Sequence, residues 1–140
     1  MKSYKEMFVW QKAMELSEST YRLVKLLPSS EEFGLKSQMR RASVSIASNL
    51  AEGFGKNTRN ELKNYCRIAT GSAMELETQL LLIQRLGLVS KTDIDRVSLL
   101  LQSVLRLLRL LHRSLTKTVK MPLALKHLST QAPSLSPPAP

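Results

Sequence analysis

Arg106, Arg109, Arg113, Lys117 and Lys120 follow one another by three, four, four and three residues. That spacing sets the five cations in one row along a single face of a helix. Leu100, Leu101, Val104, Leu105, Leu107, Leu108, Leu111 and Leu115 fill the opposite face. No Asp or Glu occurs from Arg96 to the end of the chain, so nothing within the segment neutralises the row. A phosphate backbone suits such a row, because each neutralised phosphate releases a condensed counterion. A plainly solvated face and a helix lying on a membrane surface remain alternatives. The membrane reading fits less well, since the Leu face is needed for a core.

Bulk charge points the same way. The 140 residues carry 21 Lys+Arg against 11 Asp+Glu, a net charge of +10. Residues 96–140 contribute +7 of it. An excess so placed favours nucleic acid, RNA or DNA, as partner.

Residues for covalent or acid–base chemistry are few. The histidines are His112 and His127, and the aspartates, Asp93 and Asp95, sit where a helix starts and are explained by capping. Cys66 has no evident base partner, and no Cys-x-x-Cys or His-x-x-x-His spacing offers a metal site. Gly53-Phe54-Gly55-Lys56 lacks the full phosphate-loop spacing and follows a helix. The expectation is a protein with no catalytic residues, no cofactor and no metal.

The elements that must position the basic row read as four helices. Trp10, Ala13, Ser17, Tyr21 and Val24 recur at helical steps, with Leu16, Leu23 and Leu27 widening the face; this predicts a helix over about 6–27, stopped by Pro28. Leu35, Met39, Ala42, Ile46 and Leu50 predict a second over about 34–53, with Gly53 and Gly55 supplying its end. Thr58-Arg59-Asn60-Glu61 is a capping box that opens a third, over about 58–86, which Gly87 closes. Ser90-Lys91-Thr92-Asp93 opens the fourth, over about 91–120. Short links make neighbours antiparallel, so the fold class is all-α, an up-down-up-down four-helix bundle over residues 1–121. Residues 122–140 are rich in Ser and Pro and read as a mobile tail.

The second helix has two further features. Gln38, Arg41, Ser45, Asn49 and Glu52 form a polar ridge beside its apolar stripe. Arg41, Ser45, Asn49 and Glu52, with Glu75 of the third helix, form either a buried network that fixes helix register or a solvated ridge. On the far side lie Val44, Ala47 and Ala51. A helix apolar or small nearly all round is usually buried on more than one side, which predicts a subunit interface there. The alternative is small residues that tolerate exposure.

Three motifs carry a family resemblance. Ser37-Gln38-Met39-Arg40-Arg41-Ala42-Ser43-Val44-Ser45-Ile46-Ala47-Ser48-Asn49-Leu50-Ala51-Glu52-Gly53 resembles the signature of a bacterial four-helix-bundle family. That family is named after reading frames in intervening sequences of large-subunit ribosomal RNA genes. Val9-Trp10-Gln11-Lys12-Ala13 is similar to its helix-one motif, and Ala69-Thr70-Gly71-Ser72-Ala73-Met74-Glu75-Leu76-Glu77-Thr78-Gln79 to its helix-three motif. The resemblance implies a homopentameric ring. It also implies kinship with the accessory variability determinant of diversity-generating retroelements, a basic ring that binds nucleic acid and a reverse transcriptase. It brings no catalytic residues.

Two functions follow as expectations. One is direct binding of nucleic acid through the helix-four row. The other is a structural adaptor that docks a protein such as a reverse transcriptase. The lone Cys66, the lack of a leader-like apolar stretch and the lack of an uncharged run of ~20 apolar residues predict a cytoplasmic protein with no membrane partner.

Overall fold

Ser and Thr at two helix starts do what their spacing requires. Thr58 Oγ1 accepts the Glu61 amide hydrogen at 3.1 Å, and Ser90 Oγ accepts that of Asp93 at 3.3 Å. Each satisfies a donor that the first turn leaves without an intrahelical partner. The computed structural model describes residues 1–117. It contains α1 (Phe8–Val24), α2 (Leu35–Gly55), α3 (Arg59–Arg85) and α4 (Lys91–Thr116), with 3-10 turns at Tyr4–Glu6 and Ser29–Glu31. No strand occurs among the described residues.

Helix α1 packs on α2 and α4, and α3 packs on α2 and α4, while the backbones of the diagonal pairs stay apart. That is the square of a four-helix bundle. Cross-links fix the directions. Ser17 Oγ donates to the Ser43 carbonyl at 2.8 Å, and the Arg40 guanidinium lies 5.9 Å from the centre of the Tyr21 ring. Ser45 meets Ser72, while Gly53 sits against Tyr65. Cys66 Sγ reaches the Leu108 carbonyl, and Arg59 reaches that of Lys117. In each of these three pairs of helices one number rises as the other falls, so successive helices are antiparallel and α4 runs opposite to α1 as well. The core between them is built from Leu16, Met39, Ile46, Leu50, Leu62, Leu76, Ile83, Leu101, Leu108 and Leu111.

Several helix ends differ from the pattern-based expectation. Met7 is extended and buried and serves as the N-cap of α1, so that helix starts at Phe8. At its other end Leu26 and Leu27 donate to carbonyls only three residues back, a tightened turn after Val24. Gly53 lies within α2, and Gly55 is its last residue. The left-handed residue that closes it is Asn57, with φ 65°. Gly53 answers a packing need instead: a Cβ there would lie 2.6 Å from Tyr65 Cβ. Gly87, with φ 66°, does follow α3. Helix α4 ends at Thr116, because Lys117 is extended (φ −83°, ψ 143°). Lys120 and the Ser/Pro-rich stretch 122–140 lie outside the described residues.

Candidate nucleic-acid interface

Helix α4 is cleanly two-faced. Leu101, Val104, Leu105, Leu107, Leu108, Leu111 and Leu115 are buried, and Arg106, Arg109 and Arg113 are exposed; Lys117, also exposed, follows the helix in extended backbone and is not on its face. The sequence places the row on one helix, but the structure adds a second. Helix α3 runs antiparallel beside α4 and brings Arg59, Lys63 and Arg67, four residues apart, alongside it. Arg67 lines a cleft with Thr70, Arg109, His112 and Arg113. Arg59 Nη1 donates to the Lys117 carbonyl at 2.6 Å. The basic surface therefore spans two helices. Arg59, Lys63 and Arg67 share a four-residue spacing in the sequence, but only the register of α3 on α4 sets Arg67 beside Arg109 and Arg113.

None of Arg67, Arg106, Arg109 and Arg113 joins an ion pair among the described residues. The carboxylates that do pair are elsewhere. Glu32 gathers Arg40 at 3.1 Å and Lys36 at 3.4 Å, and the hydrogen bonds from Arg40 and then Lys36 hold its carboxyl below the usual range. Arg40 is thus occupied at the far end of α2.

His112 sits among the cations of the cleft. Its Nε2 is closed off from solvent and has no hydrogen-bond partner among the described residues. Burial lowers its pKa from the usual 6.5, and the nearby Lys63 and Arg67 lower it further, so the ring is neutral at physiological pH. Cys66 lies beneath, fully buried, with its thiol pushed up to about 12 by desolvation.

The polar ridge of α2 splits in two. Arg41, Ser45 and Glu75 share a small recess with Gln38, Ala42 and Ser72. Ser45 and Ser72 are 2.8 Å apart, and Asn49 Nδ2 donates to the Ser45 carbonyl at 2.7 Å and to its Oγ at 2.9 Å. This part is half-buried and joins α2 to α3. Arg41, Glu52 and Glu75 are exposed and form no ion pair with one another, so a buried charge network is not present. Their side chains reach water past the rim of the α2–α3 contact, where a full charge is cheaply solvated.

The far side of α2 is also divided. Val44 is 41% exposed and Ala51 is half-buried. Ala47, at 5%, belongs to the core of the single chain. It turns inward beside Ile46 and Leu50, and so is not on the outward face expected of it. Exposed apolar residues on these two helices include Val44 of α2 and Ile68, Met74 and Leu81 of α3, each at least 41% exposed.

No group of three or more His, Cys, Asp or Glu among the described residues is placed to hold a metal ion. No described helix is long and apolar enough to cross a membrane.

The sequence profile of the 23S rRNA-intervening sequence protein family matches residues 5–110. The chain belongs to this family. A crystal structure of a protein of unknown function from the S23 ribosomal protein family of Bacteroides thetaiotaomicron has the same fold: the TM-score is 0.68 at 22% identity, over 75% of this chain and 98% of that one. No curated protein matches. The family match spans all of α1, α2 and α3 and most of α4, including Arg67, Arg106 and Arg109, and stops before His112 and Arg113.

Proposed function

We propose that this protein binds nucleic acid through phosphate contacts on the α3–α4 face and catalyses no reaction. The observation that carries the reading is the convergence of Arg67, Arg109 and Arg113 from two antiparallel helices on one cleft, with no carboxylate among the described residues that line it. Seven uncompensated positive charges from Arg96 onward would raise the local concentration of any polyanion. The family name ties the group to ribosomal RNA genes, which makes RNA the first ligand to test. The compartment we assign is the cytoplasm, where a lone thiol stays reduced.

The test is an anisotropy titration of labelled RNA and DNA at several salt concentrations. Affinity falls steeply with salt, and sequence matters little, because phosphate contacts position without reading bases. Arg109→Gln with Arg113→Gln weakens binding to all sequences and flattens the log–log salt slope by about 0.9 per lost contact. Absence of binding at low salt overturns the reading and leaves the adaptor function as its successor.

The same chain is proposed to act as an oligomer, a ring of five in keeping with its family. Val44, Ile68, Met74 and Leu81 leave apolar surface exposed on α2 and α3, which self-association would cover. Light scattering should give a multiple of the 15.8 kDa chain mass. A monomer at micromolar concentration refutes it.

A further inference from the structure

The cleft between α3 and α4 offers more than charge. It is an open depression of about 490 Å³. A phosphate group would occupy a small part of that, and the whole lies within the ~300–1,000 Å³ typical of sites for small organic ligands. Three of the five lining residues are arginines. Thr70 Oγ1 donates its hydrogen to the Cys66 carbonyl at 2.9 Å, so its side chain has no donor left for a ligand. The half-buried His112 is the aromatic ring in the wall, with Nε2 shut away from solvent and unpartnered. Burial and then Lys63 and Arg67 keep the ring from charging. The cleft therefore combines cations with a neutral planar surface.

We propose that this cleft takes one unpaired nucleotide of a single-stranded nucleic acid, its phosphate held by Arg67, Arg109 and Arg113 and its base packed against the His112 ring and the guanidinium planes. The proposal rests on the reading of this face as a nucleic-acid surface, and it specifies what enters. Bases of single strands stack readily on aromatic rings and on arginine planes, and do so with little regard to sequence. In a duplex both faces of each base are already stacked, so a duplex meets the arginines only with its backbone. Single strands are bound more tightly than duplexes, by the worth of one stacked base.

The experiment compares a short labelled oligouridylate with an RNA duplex of equal length, using the full chain and fluorescence anisotropy. The single strand binds roughly tenfold more tightly, the usual gain from one base stacked on a protein side chain. His112→Ala weakens the single strand more than the duplex and so removes most of that preference, while Arg67→Gln weakens both. Circular dichroism checks that each variant keeps its helices. A second measurement needs no change to the cleft: the ring signals of His112, told apart from those of His127 with His127→Gln, shift on adding oligouridylate and stay put on adding duplex. Equal affinity for the two probes, or a His112 signal unmoved by saturating oligouridylate, overturns the proposal. If both probes bind equally and the salt slope still falls with Arg109→Gln, the phosphate reading stands and only the nucleotide site is lost. If uridine monophosphate alone binds as tightly as the oligonucleotide, the cleft serves a free nucleotide and the strand proposal is overturned. If neither probe binds at low salt, both readings fall.

Discussion

Arg59 Nη1 donates a 2.6 Å hydrogen bond to the main-chain carbonyl of Lys117, which ties the first turn of α3 to the end of α4. The residue after a helix leaves carbonyls without intrahelical donors, and a guanidinium there satisfies one while meeting the negative end of the helix dipole. Arg59 therefore has a structural task, and the free charge of the face lies in Arg67, Arg106, Arg109 and Arg113. Arg59→Ala should cost about 1 kcal/mol, at or below the usual worth of a charge-assisted bond because this one is exposed. Hydrogen exchange should show the last turn of α4 opening faster while the middle of α4 is unchanged. Unaltered exchange there would show that the bond does not hold the helix end.

Two helical glycines should respond to alanine with opposite signs. A Cβ at Gly53 would stand 2.6 Å from Tyr65 Cβ and 3.3 Å from the Leu62 Cα, which is backbone and cannot swing aside. Alanine gains about 1 kcal/mol of helix propensity, but overpacking costs ~1–3 kcal/mol, so Gly53→Ala destabilises. At Gly71 nothing lies within 4 Å of the added methyl. Gly71→Ala should stabilise by up to about 1 kcal/mol. Urea denaturation of both variants at one protein concentration decides it, since an oligomer's midpoint depends on concentration.

Along the α2 ridge the hydroxyls, not the charges, should matter. Ser45 is half-buried, meets Ser72 at 2.8 Å and accepts from Asn49. Ser45→Ala removes those contacts and should cost about 1 kcal/mol. Arg41 is exposed and has no ion-pair partner among the described residues, so Arg41→Ala should change stability by less than ~0.5 kcal/mol. A loss of several kcal/mol for Arg41→Ala in thermal denaturation would place that side chain in a buried pair.

The parts of this protein that could be read from sequence are those set by local rules. Thr58 and Ser90 mark helix starts because a cap acts within one turn. The Leu and Arg faces of α4 are legible because a helix repeats on itself. What escaped depends on contacts between elements. The ridge of α2 has the same spacing whether its charges are buried or at a rim, and only the position of α3 puts Ser45 inside and Arg41 outside. Ala47 looks equally fit for an interface or a core, and its methyl turns inward because α2 rolls that side toward its neighbours. Gly53 reads as a terminator and is instead a close approach beneath Tyr65. Arg67 joins the basic face through the α3–α4 register, which no local pattern encodes.

The last prediction concerns Cys66, whose thiol is buried and donates to the Leu108 carbonyl at 3.4 Å. Desolvation raises its pKa from the usual 9.0 to about 12 in the folded chain. The folded state therefore keeps a proton that the unfolded state gives up. Below pH 9.0 both states hold it, and this group adds no pH dependence. Between pH 9.0 and about 12 the unfolded state binds fewer protons than the native one, so stability falls as pH rises. The slope from this one group approaches about 1.4 kcal/mol per pH unit. Lys and Tyr also titrate in that range, so the contrast must be with Cys66→Ala, which should lose less stability on the alkaline side while starting lower because of its small cavity. The same burial should keep a thiol reagent from reacting at neutral pH until the chain is unfolded by denaturant. Fast labelling of the native protein, or parallel alkaline curves for the two chains, would show that Cys66 is open to solvent and that the α3–α4 contact beneath the basic cleft is looser than its geometry.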